Sequence, residues 1–359
     1  MKKFWQGAVL GNFTDGRGNN LDALRLFAAL LVVFSHSFVI TGAGYLEPPF
    51  YRNNYGALGV NIFFFISGFL ITRSFLQKKS VWRYLWSRFL RIFPALIVVV
   101  MGTVFILGPV FTELTPGEYF ADGRTYSYLS NMTLYGLNYY IPGVFESNPF
   151  EIRVNAPLWT LEYEFTFYLL IILLGLLGAL KHRWIVPGLF LIALVLNFFH
   201  IGVLTDLYSL NIFHAIRFFI YFSAGMTAYL YRDSIPLNGK FCLIILALLI
   251  GGAFTAGFGD TLFVFPLCYL VLYVGYSPRI KLGWLTRRGD YSYGIYIWAW
   301  PVQQAVFSLS GSQMGGWLNL LIAGSFAVLL GAASWHWLEK RMLSLKNLSF
   351  RKSTIRQSL

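Results

Sequence analysis

The chain has 359 residues, of which 57% are hydrophobic and only 12% are charged. An ordinary soluble domain has about 25% charged residues, whereas several stretches here approach the ~20 apolar residues that a helix needs to cross a bilayer. This composition excludes a soluble domain and predicts an all-α, polytopic membrane protein. The net charge of +13 would suit nucleic acid, but its distribution along the chain indicates a membrane surface instead, so no nucleic-acid partner is expected.

About ten transmembrane helices are predicted. Their approximate bounds are 21–42, 56–76, 92–112, 157–180, 184–203, 210–231, 241–258, 260–277, 290–309 and 317–338. Residues 1–20 lack the apolar core of a signal peptide, so no cleavage is expected. Cys242 and Cys268 lie within apolar stretches and have neither metal-binding nor redox spacing.

The basic residues between the spans predict the orientation. Of the 28 lysines and arginines, Arg52, Arg124 and Arg153 occupy one set of alternate loops, and Arg25 and Arg217 lie inside spans. All the others lie in the terminal segments or in the opposite loops, so both termini are predicted to be cytoplasmic. The basic tail 343–359 suits anionic lipid headgroups. The long loop 113–156 is then extracytoplasmic and could fold as a cap over an outward-facing cavity.

The first span, LDALRLFAALLVVFSHSF, contains a cation and an imidazole. Arg25 and His36 are 11 residues apart, so they share one helix face and lie about 16 Å apart along the axis. Ionisable groups inside a bilayer are costly, which makes each one a candidate for function. The structural alternatives are an Arg25 that snorkels to the interface and a His36 that packs between helices.

The fourth span opens with PLWTLEYEFTFYLL. Glu162 and Glu164 fall in its first two turns, at the expected depth of His36, and point roughly 200° apart. At most one of them can therefore share a site with the histidine. A carboxylate beside an imidazole raises its basicity, which suits a general base acting on a hydroxyl. Alternatively, one glutamate pairs with Arg217 in the sixth span.

The segment SRFLRIFPAL places Arg88 and Arg91 at i and i+3 on one helix face, on the predicted cytoplasmic side. Two adjacent guanidiniums suit a pyrophosphate or a phosphomonoester, although an ordinary positive-inside flank would look similar. The remaining histidines show no metal-ligand spacing, so no metal is expected. They are His182, His200, His214 and His336.

Five stretches, in this order, resemble the acyltransferase-3 family of integral membrane acyltransferases. They are Arg25 with His36, FFFISGFLIT at 63–72, Arg88 and Arg91 before Pro94, PLWTLEYEFTFYL at 157–169, and SYGIYIWAWP at 292–301. The resemblance implies one transmembrane acyltransferase domain over 1–342, in a multi-pass protein of the cell (inner) membrane.

There are two departures from the family pattern. Ala299 stands where many members have histidine, so any role of that histidine is absent unless Gln303 or Gln304 substitutes. Arg341 stands where relatives often have proline.

The family transfers acyl groups, typically acetyl from cytoplasmic acetyl-CoA, to hydroxyls of glycans outside the cytoplasm, such as O-antigen, other lipopolysaccharide parts or exopolysaccharide. The resemblance therefore implies acyl-CoA and a glycan acceptor as partners, with phosphates bound by Arg25, Arg88 and Arg91. It also points to His36 as the base, oriented by Glu164. Further substrate or oxyanion contacts are expected from Ser67, Trp159, Tyr168, Arg217 and Tyr293.

Two other functions stay open on the sequence. A proton-coupled transporter of a small solute would also use intramembrane His, Glu and Arg, but it explains the Arg88–Arg91 pair poorly. A receptor or scaffold should not bind CoA at all. Many larger relatives carry an additional esterase-like domain, so a chain of 359 residues is expected to complete the transfer itself or to hand over to a partner.

Overall fold

A computed structural model describes residues 8–14, 19–49, 54–78, 80–150, 153–200, 206–207, 209–253 and 262–347. This part of the chain is mostly helical. The long helices are α1 (Leu21–Ile40), α2 (Tyr55–Gln77), α3 (Val81–Gly102), α4 (Trp159–Leu176), α5 (Ile185–Phe198), α6 (Ile212–Leu230), α7 (Gly239–Ala253), α8 (Val264–Tyr276), α9 (Ser292–Leu309) and α10 (Gly316–Ser334). Each overlaps one of the predicted spans.

Shorter elements connect these helices. They are the helical turns Gly11–Thr14, Gly44–Leu46, Gly108–Phe111, Pro116–Ala121, Gly123–Ser127, Tyr128–Thr133, Ala156–Leu158, Ala179–Lys181, Lys340–Ser344 and Leu345–Asn347, and the π-helical turns Thr103–Leu107 and Trp335–Glu339. Strands β1 (Asp206–Leu207) and β2 (Leu210–Asn211) pair antiparallel. Residues 348–359 of the predicted basic tail lie outside the described residues.

Among the described residues, five segments are long and apolar enough to cross a membrane. They are Leu21–Ile40, Tyr55–Gln77, Val81–Phe111, Ala156–Leu176 and Gly316–Ser344, and Ile185–Phe198 and Val264–Tyr276 are shorter apolar helices. Many large apolar side chains on them are exposed, including Ile106, Leu176 and Phe198, as expected for a lipid-facing surface. The chain is therefore a multi-pass membrane protein. The count of ten spans and the orientation of the termini stay predictions.

Helix α3 begins well before the predicted span at 92. Ser80 caps it by accepting a hydrogen bond from the backbone N–H of Arg83, and the helix then continues through Arg88 and Arg91. The basic residues lower the local hydropathy but do not oppose helix formation. A prediction based on apolar composition therefore finds the apolar part of α3 and leaves out its polar first turns.

Helices α2 and α6 approach each other closely at two glycines. A Cβ added at Gly68 would overlap the carbonyl of Phe222, and a Cβ added at Gly225 would overlap the carbonyl of Phe65. Small residues of this kind permit tight helix packing inside a membrane. One turn away, Phe64 stacks on Phe218 with ring centroids 4.4 Å apart.

Helix α9 is fixed by buried amides. Pro301 lacks an N–H, which frees the carbonyl of Ile297, and the Nδ2 of Asn155 donates to that carbonyl at 3.0 Å. Gln303 donates to the Val33 carbonyl of α1 at 2.8 Å. Gln304 donates to the Phe150 carbonyl at 2.9 Å. Both glutamines are fully buried, and their side chains link α9 to neighbouring segments. Neither side chain is therefore accessible to substitute for the histidine that many family members have at the position of Ala299.

The predicted cap, 113–156, is a folded segment where it is described. The side chains of Thr115 and Glu118 form a reciprocal capping box at the start of Pro116–Ala121. The buried hydroxyl of Tyr119 donates to the Val104 carbonyl, within the π-helical turn of the preceding helix, at 2.8 Å. The segment thus packs onto the end of that helix before it leads into α4.

Candidate active site

Two cavities lie along α1. The first, here called the arginine cavity, has a volume of about 340 Å³ and is lined by Arg25, Arg88 and Arg91. The second, the histidine cavity, has a volume of about 300 Å³ and is lined by His36. The arginines predicted to bind phosphate therefore share one cavity, and the predicted base lines the other.

The remaining candidate residues divide between the same two cavities. Ser67, Glu164, Tyr168 and Tyr293 line the arginine cavity. Trp159 and Arg217 line the histidine cavity.

Three side chains, Val60, Thr160 and Tyr296, line both cavities. The hydroxyls of Thr160 and Tyr296 lie 2.5 Å apart, and each is also near the Pro157 carbonyl, at 3.2 and 3.1 Å respectively. This buried hydroxyl pair, here called the barrier pair, forms the boundary between the cavities. Sequence reasoning missed it, although both residues lie within the family-like stretches 157–169 and 292–301.

Two of the three arginines in the arginine cavity are neutralised by protein carboxylates. Arg91 lies 2.5 Å from Asp290 and 3.7 Å from Glu339, and Arg25 lies 3.7 Å from Asp290. Asp290 also accepts a hydrogen bond from the hydroxyl of Ser292 at 2.5 Å. Both carboxylates are buried, so this network stabilises the cavity wall. No sequence pattern pointed to these partners, apart from the position of Asp290 just before the stretch 292–301.

Arg88 has no carboxylate partner among the described residues. Its Nε donates to the hydroxyl of Ser87 at 3.3 Å, and its guanidinium lies 5.8 Å from the centroid of the Tyr168 ring. Of the three predicted phosphate ligands, Arg88 is therefore the one whose charge is most available to a bound anion.

Lys78 is a further cation at this cavity that the sequence analysis missed. Its Nζ donates to the hydroxyl of Ser87, which lines the cavity, at 2.6 Å. Burial, together with the charges of Arg88 and Lys346, lowers the pKa of Lys78 to about 8. Cations that are crowded together in this way repel one another, and a polyanion bound among them would relieve that repulsion.

Glu164 does not orient His36 as predicted. Its carboxylate accepts hydrogen bonds from the hydroxyl of Ser67 at 2.8 Å and from the hydroxyl of Tyr168. Thr160 marks the boundary on α4, and Glu164 lies one helical turn beyond it, on the side of the arginine cavity. The carboxylate therefore supports Tyr168, against which Arg88 packs.

Glu162 does not pair with Arg217 either, which was the alternative for this span. Its buried carboxylate accepts a hydrogen bond from Ser209. Because Glu162 and Glu164 point to opposite sides of α4, each finds neutral hydroxyl partners on its own side, and neither reaches the histidine cavity.

His36 packs against Trp300, with the ring centroids 4.7 Å apart and the planes nearly perpendicular. Its Nδ1 is buried and makes no hydrogen bond within the described structure. This leaves Nε2 as the nitrogen that can meet a substrate. Tyr293, one predicted oxyanion contact, instead donates its hydroxyl to the Ile92 carbonyl at 2.8 Å.

The histidine cavity also contains polar groups that the sequence did not single out. Arg153 and His214 line it beside Arg217, and the ring of His214 packs against Trp159 with centroids 5.1 Å apart. In the described ranges, no group of three or more His, Cys, Asp or Glu residues is arranged to hold a metal ion.

Comparison with known proteins places this site in a family. The family profile described as "Acyltransferase domain" matches residues 19–336. The chain is 27% identical over 339 residues to the "O-acetyl transferase" of Shigella phage Sf6, covering 91% of this chain and 97% of that protein. It is 31% identical over 378 residues to "Nodulation protein 10" of Rhizobium leguminosarum bv. viciae, covering 93% and 95% respectively.

A shorter match extends to Staphylococcus aureus. The "O-acetyltransferase OatA" of that organism is 31% identical over 186 residues, covering 49% of this chain and 28% of that protein. No solved structure matches the chain significantly. The profile match spans almost all of the residues that line the two cavities, and the chain is thus a member of the acyltransferase-3 family.

Proposed function

We propose that this protein transfers an acetyl group from acetyl-CoA to a hydroxyl of a glycan. The observation that carries the proposal is the meeting of two cavities at the barrier pair. One has available cations, which suit the phosphates of a CoA thioester. The other presents an imidazole, which suits the deprotonation of a hydroxyl.

On this proposal the donor lies in the arginine cavity. Arg88 and Lys78 bind its phosphates, with Arg25 as a weaker contact because Asp290 already shares its charge. Arg91 instead holds Asp290 and Glu339 in place. The pantetheine arm then extends past Phe63 and Ser67 of α2, which line the same cavity, and brings the thioester to the barrier pair.

The acceptor lies in the histidine cavity. Nε2 of His36 takes the proton of the attacking hydroxyl as the new C–O bond forms at the thioester carbonyl. The C–S bond then breaks, and the proton leaves with the CoA thiol. The barrier pair lies where the two substrates meet, and one of its hydroxyls is placed to donate to the oxygen of the reacting carbonyl.

The predicted orientation agrees with this division of labour. It puts the start of α1, and with it the arginine cavity, on the cytoplasmic side, where CoA thioesters are found. It puts His36 on the outer side of the inner membrane, where O-antigen, exopolysaccharide and related glycans are modified. The names of two relatives, which specify O-acetyl transfer, support the acetyl group as the one moved.

The test is transfer of labelled acetyl in a defined membrane. The purified full-length protein is reconstituted into vesicles, acetyl-labelled CoA is supplied on one side, and a cell-envelope glycan fraction on the other. We expect label in the glycan, removable by mild alkali as an ester. Solute flux without any requirement for CoA would instead support a transporter and overturn the proposal.

A further inference from the structure

The wall of the histidine cavity is basic without matching acids. His36, Arg153, His214 and Arg217 line it, and none of its described lining residues is a carboxylate. The guanidinium of Arg217 lies 5.9 Å from the Phe213 ring centroid, and that of Arg153 lies 5.1 Å from the Tyr139 ring centroid. Neither arginine makes a salt bridge with any described residue.

The described carboxylates around this cavity accept hydrogen bonds from neutral groups and form no salt bridge with Arg153 or Arg217. Glu162 accepts from Ser209. Glu47 accepts from the hydroxyl of Ser35 and from the backbone N–H of Tyr55, both at 3.1 Å. Asp206, on the exposed ribbon β1–β2, accepts from Asn211 at 2.9 Å. Among the described residues, no carboxylate lies within salt-bridge distance of Arg153 or Arg217.

This arrangement is costly for Arg217 in particular. It is half-buried on α6, a predicted membrane span, where an unpaired cation is unfavourable. In the arginine cavity the same problem is solved by Asp290 and Glu339. In the histidine cavity no described carboxylate has this role, so a bound anion would supply the counter-charge.

We propose that the acceptor carries an anionic group, which Arg217 and Arg153 bind while the reacting hydroxyl reaches His36. This inference rests on the transferase function proposed above and narrows its acceptor. The group is the carboxylate of an acidic sugar or a phosphate attached to the sugar, because a guanidinium recognises both through paired hydrogen bonds.

The shape of the cavity fits an acceptor held by one charged end. At about 300 Å³ it lies at the lower limit of small-ligand sites, so it suits a terminal sugar more than a folded polysaccharide. Trp159 forms a rigid apolar wall beside the charge, with its ring centroid 5.1 Å from that of His214 and 5.2 Å from that of Phe218. His214 and Arg217 are one helical turn apart, so both basic side chains border the same space.

The test uses competition with pairs of probes that differ in charge. Labelled acetyl transfer from acetyl-CoA to the cell-envelope glycan fraction is measured in vesicles. Phenyl glucuronide is compared with its methyl ester, and an isoprenyl-diphosphate-linked glucose with the isoprenyl glucoside. The proteins are the wild type, Arg217→Gln, Arg217→Lys and, as a matched control, Arg232→Gln, which removes a cation beyond the end of the same helix. Acetyl-CoA binding checks that each variant is folded.

We expect one charged probe to inhibit the wild type at a concentration at least tenfold below that of its neutral partner. The pair that shows the difference identifies a carboxylate or a phosphate. In Arg217→Gln the difference should disappear and the KM for the glycan should rise about 30-fold. Arg217→Lys should retain part of the selectivity, and Arg232→Gln should behave like the wild type.

Two results overturn the inference while leaving the transferase function intact. One is transfer by the wild type that charged and neutral probes inhibit equally. The other is an Arg217→Gln variant that keeps the full preference for the charged probe. Absence of any labelled glycan with the wild type would count against the transferase function itself.

Discussion

The arginine cavity and the histidine cavity hold positive charge in different ways. In the first, Arg91 and Arg25 are paired with buried Asp290, whereas Arg88, and Lys78 beside the cavity, have no carboxylate partner among the described residues. In the second, Arg153 and Arg217 have no acidic partner within the described part of the chain. This comparison distinguishes two roles of arginine. A paired arginine holds the architecture, whereas an arginine without a partner is placed for a ligand. The substitutions below test the roles of the two cavities, and those of Arg91 and Arg88 test this division directly.

The largest effect is expected for His36→Ala, which removes the imidazole that α1 contributes to the histidine cavity. Loss of a general base should lower kcat for acetyl transfer by about 10³-fold. Acetyl-CoA should still bind, because the arginine cavity is untouched. Labelled transfer and donor binding are measured on the same vesicles, with His182→Ala as the control at an exposed histidine outside both cavities. Normal transfer by His36→Ala would remove the base from the mechanism.

Arg91→Ala should act on stability, because it leaves the buried Asp290 and Glu339 carboxylates without their cation. Breaking a buried pair of this kind costs about 3–5 kcal/mol of unfolding free energy. The measurement is thermal unfolding in detergent together with the yield in membranes. A variant as stable as the wild type, with only a raised donor KM, would show that Arg91 binds phosphate as the sequence predicted.

Arg88→Ala should show the opposite pattern. Loss of a charge-assisted contact to phosphate should raise the KM for acetyl-CoA about 30-fold, while the melting temperature stays near that of the wild type. Arg83→Ala, on an exposed face of the same helix, is the matched control. Equal donor KM values for Arg88→Ala and Arg83→Ala would reject Arg88 as a phosphate ligand.

The barrier pair should give a smaller effect with a distinctive double-variant pattern. Tyr296→Phe and Thr160→Val each remove one hydroxyl of the same hydrogen bond, so each should lower kcat about fivefold. Because both changes break one interaction, the double variant should be little worse than either single variant. A double variant whose kcat falls by the product of the two single-variant effects would mean that the two hydroxyls act independently.

The smallest effect concerns pH. Since the pKa of Lys78 is lowered to about 8, the side chain is cationic at pH 7 and mostly neutral at pH 9. The KM for acetyl-CoA should therefore rise with pH, by about threefold over this interval, as expected for one partly exposed ionic contact. Lys78→Arg keeps its charge and should flatten the profile. An unchanged pH dependence in Lys78→Arg would assign the titration to another group.

The sequence was sufficient for the positions of the long helices, because apolar runs of membrane length depend only on local composition. Helix periodicity placed Arg88 and Arg91 on one face of α3, and both line the arginine cavity. Arg25, which lines the same cavity, lies on another helix, so its grouping with them came from the family resemblance and not from periodicity. The start of α3 was missed because the basic turns before residue 92 are helical without being apolar.

The partners of these residues could not be read from the sequence. The pairing of Arg91 with Asp290 and Glu339 joins positions about 200 and 250 residues apart, so only tertiary packing decides it. Helical periodicity showed that Glu162 and Glu164 face opposite ways, but it could not show that both sides offer hydroxyl partners. The role of Thr160 and Tyr296 depends on the contact between α4 and α9, which no local pattern encodes.

The glycine contact between α2 and α6 has a mechanical consequence. Because the two backbones are in close contact at Gly68 and Gly225, these helices cannot slide past each other without steric overlap. Both helices contribute to the wall of the histidine cavity, since Val60 lies on α2 and Arg217 on α6. The hydroxyls of Thr160 and Tyr296 lie on α4 and α9. A change in their separation therefore requires movement in α4 or α9, and not sliding of α2 against α6.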